Sequence, residues 1–261
     1  KKVGKKVLPE SFSIYFDPTL ERLAGADLVG TYRVDNQGVR ARRVAVVEDG
    51  IFKRFLMSRS PIEGFSNSNG HGRKQAGMAP VARQSNLIVE SAEPVSREAL
   101  KEALIAQCRK EDKPFGLYFE DIQGGFTLTG RNIPNAFNVL PIMVYRIYLD
   151  GREELVRGVD LIGTPLNAFS QVSMADDQVE VFNGICGAES GGVPVSAVAP
   201  GIFISQIEVQ KKAKSQERPP ILGAPGWRLD GRPEQMLEVW ETLASSGAVP
   251  GGVVARDSLR V

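Results

Sequence analysis

Arg43-Val44-Ala45-Val46-Val47-Glu48-Asp49-Gly50-Ile51-Phe52-Lys53-Arg54-Phe55-Leu56-Met57 is the stretch on which the fold class turns. Val44 to Val47 is a strand-like apolar run, and a second one returns from Ile51. Between them lies Asp49-Gly50, a pair that tolerates positive φ. Right-twisted antiparallel strands need such a pair to join over two residues. The stretch predicts a β-hairpin.

Outward from the hairpin, the same pattern continues. Thr31-Tyr32-Arg33-Val34 is a short alternating run, and Asp35-Asn36-Gln37-Gly38 has turn chemistry at every position. The first sixty residues therefore read as a β-meander. Residues 58 to 86 break the pattern. Ser66-Asn67-Ser68-Asn69-Gly70-His71-Gly72-Arg73 is polar and small, with no apolar period, and predicts a long loop that exposes His71. Leu87-Ile88-Val89-Glu90 returns to a strand.

One helix is legible. Ser96 is placed to cap it, and Leu100, Ala103, Leu104, Gln107 and Cys108 fall on one face. Glu98 and Lys101 are spaced to pair on the wet side. Asp112-Lys113-Pro114 ends it. From Phe115 to Val209 the runs are again strand-like: Leu117–Phe119, Phe126–Thr129, Ile142–Leu149, Glu154–Arg157, Val179–Phe182 and Ile202–Ile204. Asp150-Gly151 is a second hairpin turn. Asp176-Asp177 reads as a turn before a strand; the sharper alternatives are acid–base chemistry or calcium. Asn183 to Gly192 reads as a glycine-rich loop, and Val193-Pro194-Val195 as an edge strand or a segment skirting a cleft, because Pro194 cannot donate to a ladder.

After Val209 a charged linker, Lys211 to Pro220, leads to a tail in which Met236, Leu237, Trp240, Leu243 and Ala244 share a helical face. The expected organisation is a β domain over 1–210 and a linker with helical tail over 211–261. The expected fold class is α+β and strand-dominated. It comprises an antiparallel barrel-like or sandwich body, one packed helix and the helical tail.

Composition narrows the function. In 261 residues, 42% hydrophobic and 24% charged, the balance is globular rather than disordered. With 32 Lys and Arg against 31 Asp and Glu, the net charge is +1, and direct nucleic-acid contact is not expected. No apolar run reaches the ~18 residues of a membrane span. One histidine and two cysteines limit a His/Cys zinc site to His71, Cys108 and Cys186. Cys108 belongs to the apolar face of the helix. Cys186 lies among glycines, where a thiolate can reach a metal or an electrophile; a buried small hydrophobe is the plainer alternative. Neither Gly124-Gly125 nor Gly191-Gly192 fits a nucleotide fingerprint. The chain opens Lys1-Lys2-Val3-Gly4, without an initiator Met, and reads as a fragment or processed product. Unpaired cysteines agree with a cytoplasmic protein, with export left open by the missing start.

Several segments together resemble the TldD/PmbA family. Asp35-Asn36-Gln37-Gly38-Val39 followed by Arg43 to Lys53 is similar to its D-D-E-G and I-E-N-G-x-L-K segments. Asn69-Gly70-His71-Gly72-Arg73 is similar to its N-G-x-x-R loop, and Ala82-Arg83-Gln84-Ser85-Asn86 to its P-R-x-T-N segment. Gly163-Thr164-Pro165-Leu166 also corresponds. Ile185-Cys186-Gly187 through Val193-Pro194-Val195 is similar to its C-G-K-x-G-Q-x-V-P-V signature. The order agrees from about residue 10 to residue 210.

The resemblance implies zinc metallopeptidases, once called modulators of DNA gyrase. It implies an HExxxH helix in an N-terminal half and a cysteine ligand from the C-terminal β domain. Cys186 is then the implied metal ligand, nearer the TldD branch, and zinc the implied cofactor. No HExxxH occurs here, so the chain is expected to be the C-terminal half. It would be inactive alone, with its catalytic residues upstream. Ala188-Glu189-Ser190-Gly191-Gly192 replaces the usual Lys-x-Gly-Gln. An extended or unfolded peptide is the implied substrate, added to the sheet edge at Gly191 to Val195. Gly187, Gly191, Gly192, Val193, Asn69 and His71 are the expected substrate contacts. Expected partners are the chain's own N-terminal half and a second copy or a paralogue, as a homodimer or heterodimer. The alternative is a non-catalytic peptide-binding or partner subunit.

Overall fold

The computed structural model describes residues 2–128 and 136–211. Strand β1 (Phe12–Phe16) is followed by a miniature hairpin, β2 (Arg22–Leu23) and β3 (Ala26–Asp27). The predicted hairpin forms as β4 (Val44–Glu48) and β5 (Ile51–Phe52). Its turn has φ of 48° at Asp49 and 72° at Gly50, the double positive that the Asp-Gly pair supplies. Gly50 is also required sterically, because a Cβ there would sit 2.4 Å from the Leu8 carbonyl oxygen.

The meander expectation needs correction. Thr31 to Val34 forms no strand; a single Val34–Arg40 bridge straddles the Asp35–Gly38 turn. Strand β1 instead pairs antiparallel with β4 and with β8 (Asn86–Ser91). The long loop holds two short strands, β6 (Gly72–Arg73) and β7 (Val81–Ala82), paired with each other.

Helix α1 (Arg97–Lys110) begins as expected, with the Ser96 side chain accepting from the Ala99 amide at 3.1 Å. It packs on β9 (Phe115–Leu128), β10 (Ala136–Tyr148), β13 (Val172–Ala188) and β14 (Gly191–Ile204), with Cys108 buried. Lys101 pairs with Glu153 at 2.8 Å rather than with Glu98, and Arg97 pairs with Asp176 at 2.9 Å. These two contacts tie one helix to both large sheets. The predicted run at 117–119 and residues 126–128 of the next belong to β9, which runs on through Gly124-Gly125; Thr129 lies outside the described residues. The Asp150-Gly151 turn leads to β11 (Glu153–Val156). Next come β12 (Val159–Gly163), the unanticipated short helix α2 (Pro165–Ser170) with Pro at its first position, and finally β15 (Glu208–Lys211).

Six strands form one sheet in the order β13-β14-β8-β1-β4-β5. The second is built on β10, with β9 along one side and β11 and β12 along the other, and β15 outside β12. Both sheets are open, so the barrel alternative is not what forms; the α+β, strand-dominated class holds. Two apolar clusters sit on the first sheet. One gathers Leu8, Phe12, Val47, Val172 and Ala175, the other Tyr15, Leu28, Ile88 and Val198. Phe12, at 1% exposure, contributes about 1.5–3 kcal/mol by burial. The first residue of the expected linker, Lys211, ends β15 instead; the rest of the linker and the helix around Met236 and Trp240 lie outside the described residues.

Candidate functional site

The predicted glycine-rich loop is not a loop. Strand β13 runs straight through Asn183 to Ala188, turns at Glu189-Ser190, and returns as β14. Cys186 pairs with Val193 near the tip of this hairpin, and Gly187 with Gly192. Small residues allow this: a Cβ at Gly187 would meet nothing within 4 Å, so the space beside Cys186 stays open. Ile185 is 77% exposed, while Cys186 is half-buried. Both cysteines are free thiols.

Two buried arginines hold the tip. Arg83 donates to the Ser190 Oγ at 2.6 Å, to the Gly191 carbonyl at 2.8 Å and to the Cys186 carbonyl. Arg73 donates to the carbonyls of Gln84 at 2.5 Å and Pro194 at 2.7 Å, and stacks 4.7 Å over the Tyr32 ring. Burial lowers the Arg73 pKa; Tyr32 opposes this, Arg83 adds to it and Cys186 opposes it. Cys186 is thus within electrostatic reach of a guanidinium, and its backbone is clamped by a second.

The expected open edge at Gly191 to Val195 is corrected. Beyond β13, its other side is taken by this chain. Gln75 donates its backbone N–H to the Ser190 carbonyl at 2.8 Å, and its side-chain Oε1 accepts from the Gly192 N–H at 2.9 Å. Arg73 holds Pro194, and β8 pairs in parallel from Ser196 onward. Val193 is 1% exposed and faces the interior. A Cβ at Gly191 would fall 2.6 Å from Gln75, so this glycine serves the tip's own packing.

His71 is likewise placed otherwise than expected. It is fully buried, edge-on to Phe16 and Tyr32, with Nδ1 3.2 Å from the Asn69 carbonyl and Nε2 3.2 Å from the Ser85 Oγ. Around His71 the loop is polar because its groups pair internally; Ser66 and Asn67 before it do face water. Asp35 anchors the same segment, accepting from the amides of Gln37, Val39 and Gly72. Asn69 spends its amide on Met57 and Phe55. Of the expected contacts, Gly187, Gly191 and Gly192 share the tip with Cys186; His71, Asn69 and Val193 are framework. Arg73 and Arg83 lie in the segments similar to the family's N-G-x-x-R and P-R-x-T-N, but the sequence assigned them no role. Gln75 and Ser190 carry no signal of their own in the sequence.

Burial depresses the His71 pKa from 6.5 to about 4, against the Asn69 carbonyl, which pulls it up. The unfolded chain takes its proton near pH 6.5 and the folded chain resists until about 4. Stability is therefore complete above the unfolded value and is lost as pH falls through this window. Between pH 8 and pH 5 the loss is about 2 kcal/mol. Urea midpoints against pH, compared with a His71→Gln chain, read it. An equal acid sensitivity in that variant would remove His71 as the cause.

The donor set for a metal is thin. Among the described residues no three His, Cys, Asp or Glu side chains converge, so they do not make a metal site around Cys186 by themselves. Asp176, weighed as a calcium or acid–base group, is committed elsewhere. It lies within β13 rather than in a turn, paired with Arg97.

Comparison with known proteins agrees with the fold. A family model described as the PmbA/TldA metallopeptidase C-terminal domain matches residues 1–211. A protein named metalloprotease from Archaeoglobus fulgidus is 30% identical over 77% of this chain and 43% of its own length. A metalloprotease TldD homolog from Haemophilus influenzae is 24% identical over 80% of this chain and 40% of its own. The crystal structure of TldE from Thermococcus kodakarensis superposes with a TM-score of 0.53 at 16% identity, over 80% of this chain and 41% of that one. The chain spans about two fifths of the length of the curated relatives it matches.

Proposed function

This chain belongs to the PmbA/TldD metallopeptidase family as its C-terminal domain, and from that premise we propose that it is the cysteine-bearing portion of a zinc-dependent peptidase. Cys186 supplies one metal ligand; the remaining ligands and the catalytic base come from a histidine-bearing segment that the described residues do not contain. The observation that carries this is the half-buried Cys186 thiol at a hairpin tip. Its carbonyl is fixed by Arg83 while the space beside it, at Gly187, is open. A single thiolate on a rigid ribbon can complete a site assembled from outside.

Substrate is an extended or unfolded peptide. With Gly191 to Val195 covered, the outer side of β13, the terminal strand of its sheet, is where main-chain hydrogen bonds are available beyond the Val95 contact at Ala175. A second copy or a paralogue completes the assembly, and the proposed compartment is the cytoplasm. Among the described residues no helix is long and apolar enough to cross a membrane.

The test is metal content of the full-length gene product and its Cys186→Ala variant by plasma mass spectrometry. The expected result is about one zinc per chain in the parent and less than about a tenth of that in the variant. Zinc retained by the variant would remove Cys186 from the site. Zinc absent from both would favour the non-catalytic peptide-binding subunit.

A further inference from the structure

A second concave feature lies away from the hairpin tip, between the β4–β5 hairpin and residues 64–69. It is a groove of about 410 Å³. Arg42, Arg43, Lys53 and Arg54 line it, and none of its lining residues is a carboxylate. Lys53 has Glu48 beside it at 4.0 Å, but the three arginines gather with no ion pair of their own among the described residues, a distribution that an anionic ligand would relieve.

The groove is preformed. Arg42 is held by donating to the Ser68 carbonyl at 2.6 Å, and Arg43 lies 3.7 Å over the Tyr15 ring. Asn69 locks the opposite wall, accepting from the Met57 amide at 2.7 Å and donating to the Phe55 carbonyl at 2.9 Å. Phe65 packs edge-on to Phe55 at 5.5 Å and, with Met57, gives the groove an apolar floor. Among the described residues Arg54 has no hydrogen bond or ion pair, so its guanidinium is uncommitted. A fixed cation pair, a free arginine and an apolar floor together match a ligand that alternates anionic and apolar groups.

We propose that this groove binds a short acidic peptide segment, its carboxylates on the arginines and its apolar side chains on Phe65 and Met57. Guanidinium pairs with phosphate as readily as with carboxylate. The surroundings favour the peptide. Glu48, exposed and 4.0 Å from Lys53, and Glu63, exposed and next to the lining residue Gly64, are negative charges at the rim. These carboxylates oppose a continuous polyanion more than a peptide whose charges are interrupted by apolar side chains. The net charge of +1 also provides no extended basic track.

Fluorescence anisotropy of the full chain with a labelled Glu-Leu-Glu-Glu-Leu-Glu peptide tests the assignment. Its Gln-for-Glu counterpart should bind at least about tenfold more weakly, as should an Arg42→Gln/Arg54→Gln chain. Arg54→Gln alone removes no internal contact and should weaken binding about threefold, so misfolding does not confound the result. A Cys186→Ala chain should bind unchanged, which keeps this test separate from the zinc measurement. Equal affinity for the neutral peptide, or unchanged affinity in both arginine variants, overturns the proposal. Tighter binding of a single-stranded oligonucleotide or of tripolyphosphate, with displacement of the peptide, overturns its ligand class. Weakening by Cys186→Ala overturns the separateness of the groove.

Discussion

Replacing Asp176 with alanine lowers the free energy of unfolding by about 3 kcal/mol, read from urea denaturation. The carboxylate is 1% exposed and makes contacts on every side. Oδ2 accepts from the Arg97 Nε at 2.9 Å, and Oδ1 from the amides of Gly201 at 2.8 Å and Gln178 at 3.2 Å. Those amides need it because β13 slips register against β14 between Ala175 and Val179, where the regular ladder lapses. Alanine leaves them without an acceptor and strips Arg97 of its buried partner. Removing one member of a buried pair costs about 3–5 kcal/mol, and Arg97, 26% exposed, can turn partly to water, which places the loss at the lower end. The Glu180 contact is to an exposed carboxylate and adds little. A loss below about 1 kcal/mol would show that the latch between α1 and the long hairpin is dispensable.

The second large effect is at Arg83. An Arg83→Met chain should lose about 2–4 kcal/mol, and the amides of residues 185–192 should exchange at least about a hundredfold faster. One guanidinium satisfies the carbonyls of Cys186 and Gly191 and the hydroxyl of Ser190, bridging both strands and the turn between them. Methionine keeps the volume but abandons all three acceptors. Arg83→Lys should not rescue, because an ammonium cannot span acceptors set out for a planar fork. Unchanged exchange at the tip in Arg83→Met would mean that the ribbon is held by its ladder alone. If Cys186 does hold zinc, the same variant weakens that binding with the thiol still present.

Local chemistry told the truth wherever one element could form on its own terms. Asp49-Gly50 and Asp150-Gly151 are turns with positive φ at their glycines, and Ser96 caps α1. These depend on a few adjacent residues. Residues 66 to 86 misled for the opposite reason. His71, Arg73, Arg83 and Ser85 are buried by partners far along the chain, such as Ser190 and Pro194, and polarity alone could not distinguish a solvated loop from an internally paired one. Asn183 to Gly192 misled because its glycines signal flexibility in isolation, whereas across from each other at Gly187 and Gly192 they let two strands run to the tip. Cys186 was legible as a candidate from its motif; the arginine clamp that positions it was not.

The junction of β14 with β8 is the one parallel pairing among the named strands of the six-stranded sheet, and it joins Asn86 to Ser196 and Ile88 to Val198. These partners lie on the order of a hundred positions apart in the chain. During translation the ribosome delivers β1, β4, β5 and β8 first. Tyr15 and Ile88 then stand without Val198, and Phe12 without Val172 and Ala175. The N-terminal four strands therefore emerge as a sticky, half-covered sheet edge that must wait for the rest of the nascent chain. Closure of the sheet therefore waits on β14, and the apolar face is most vulnerable until that strand arrives.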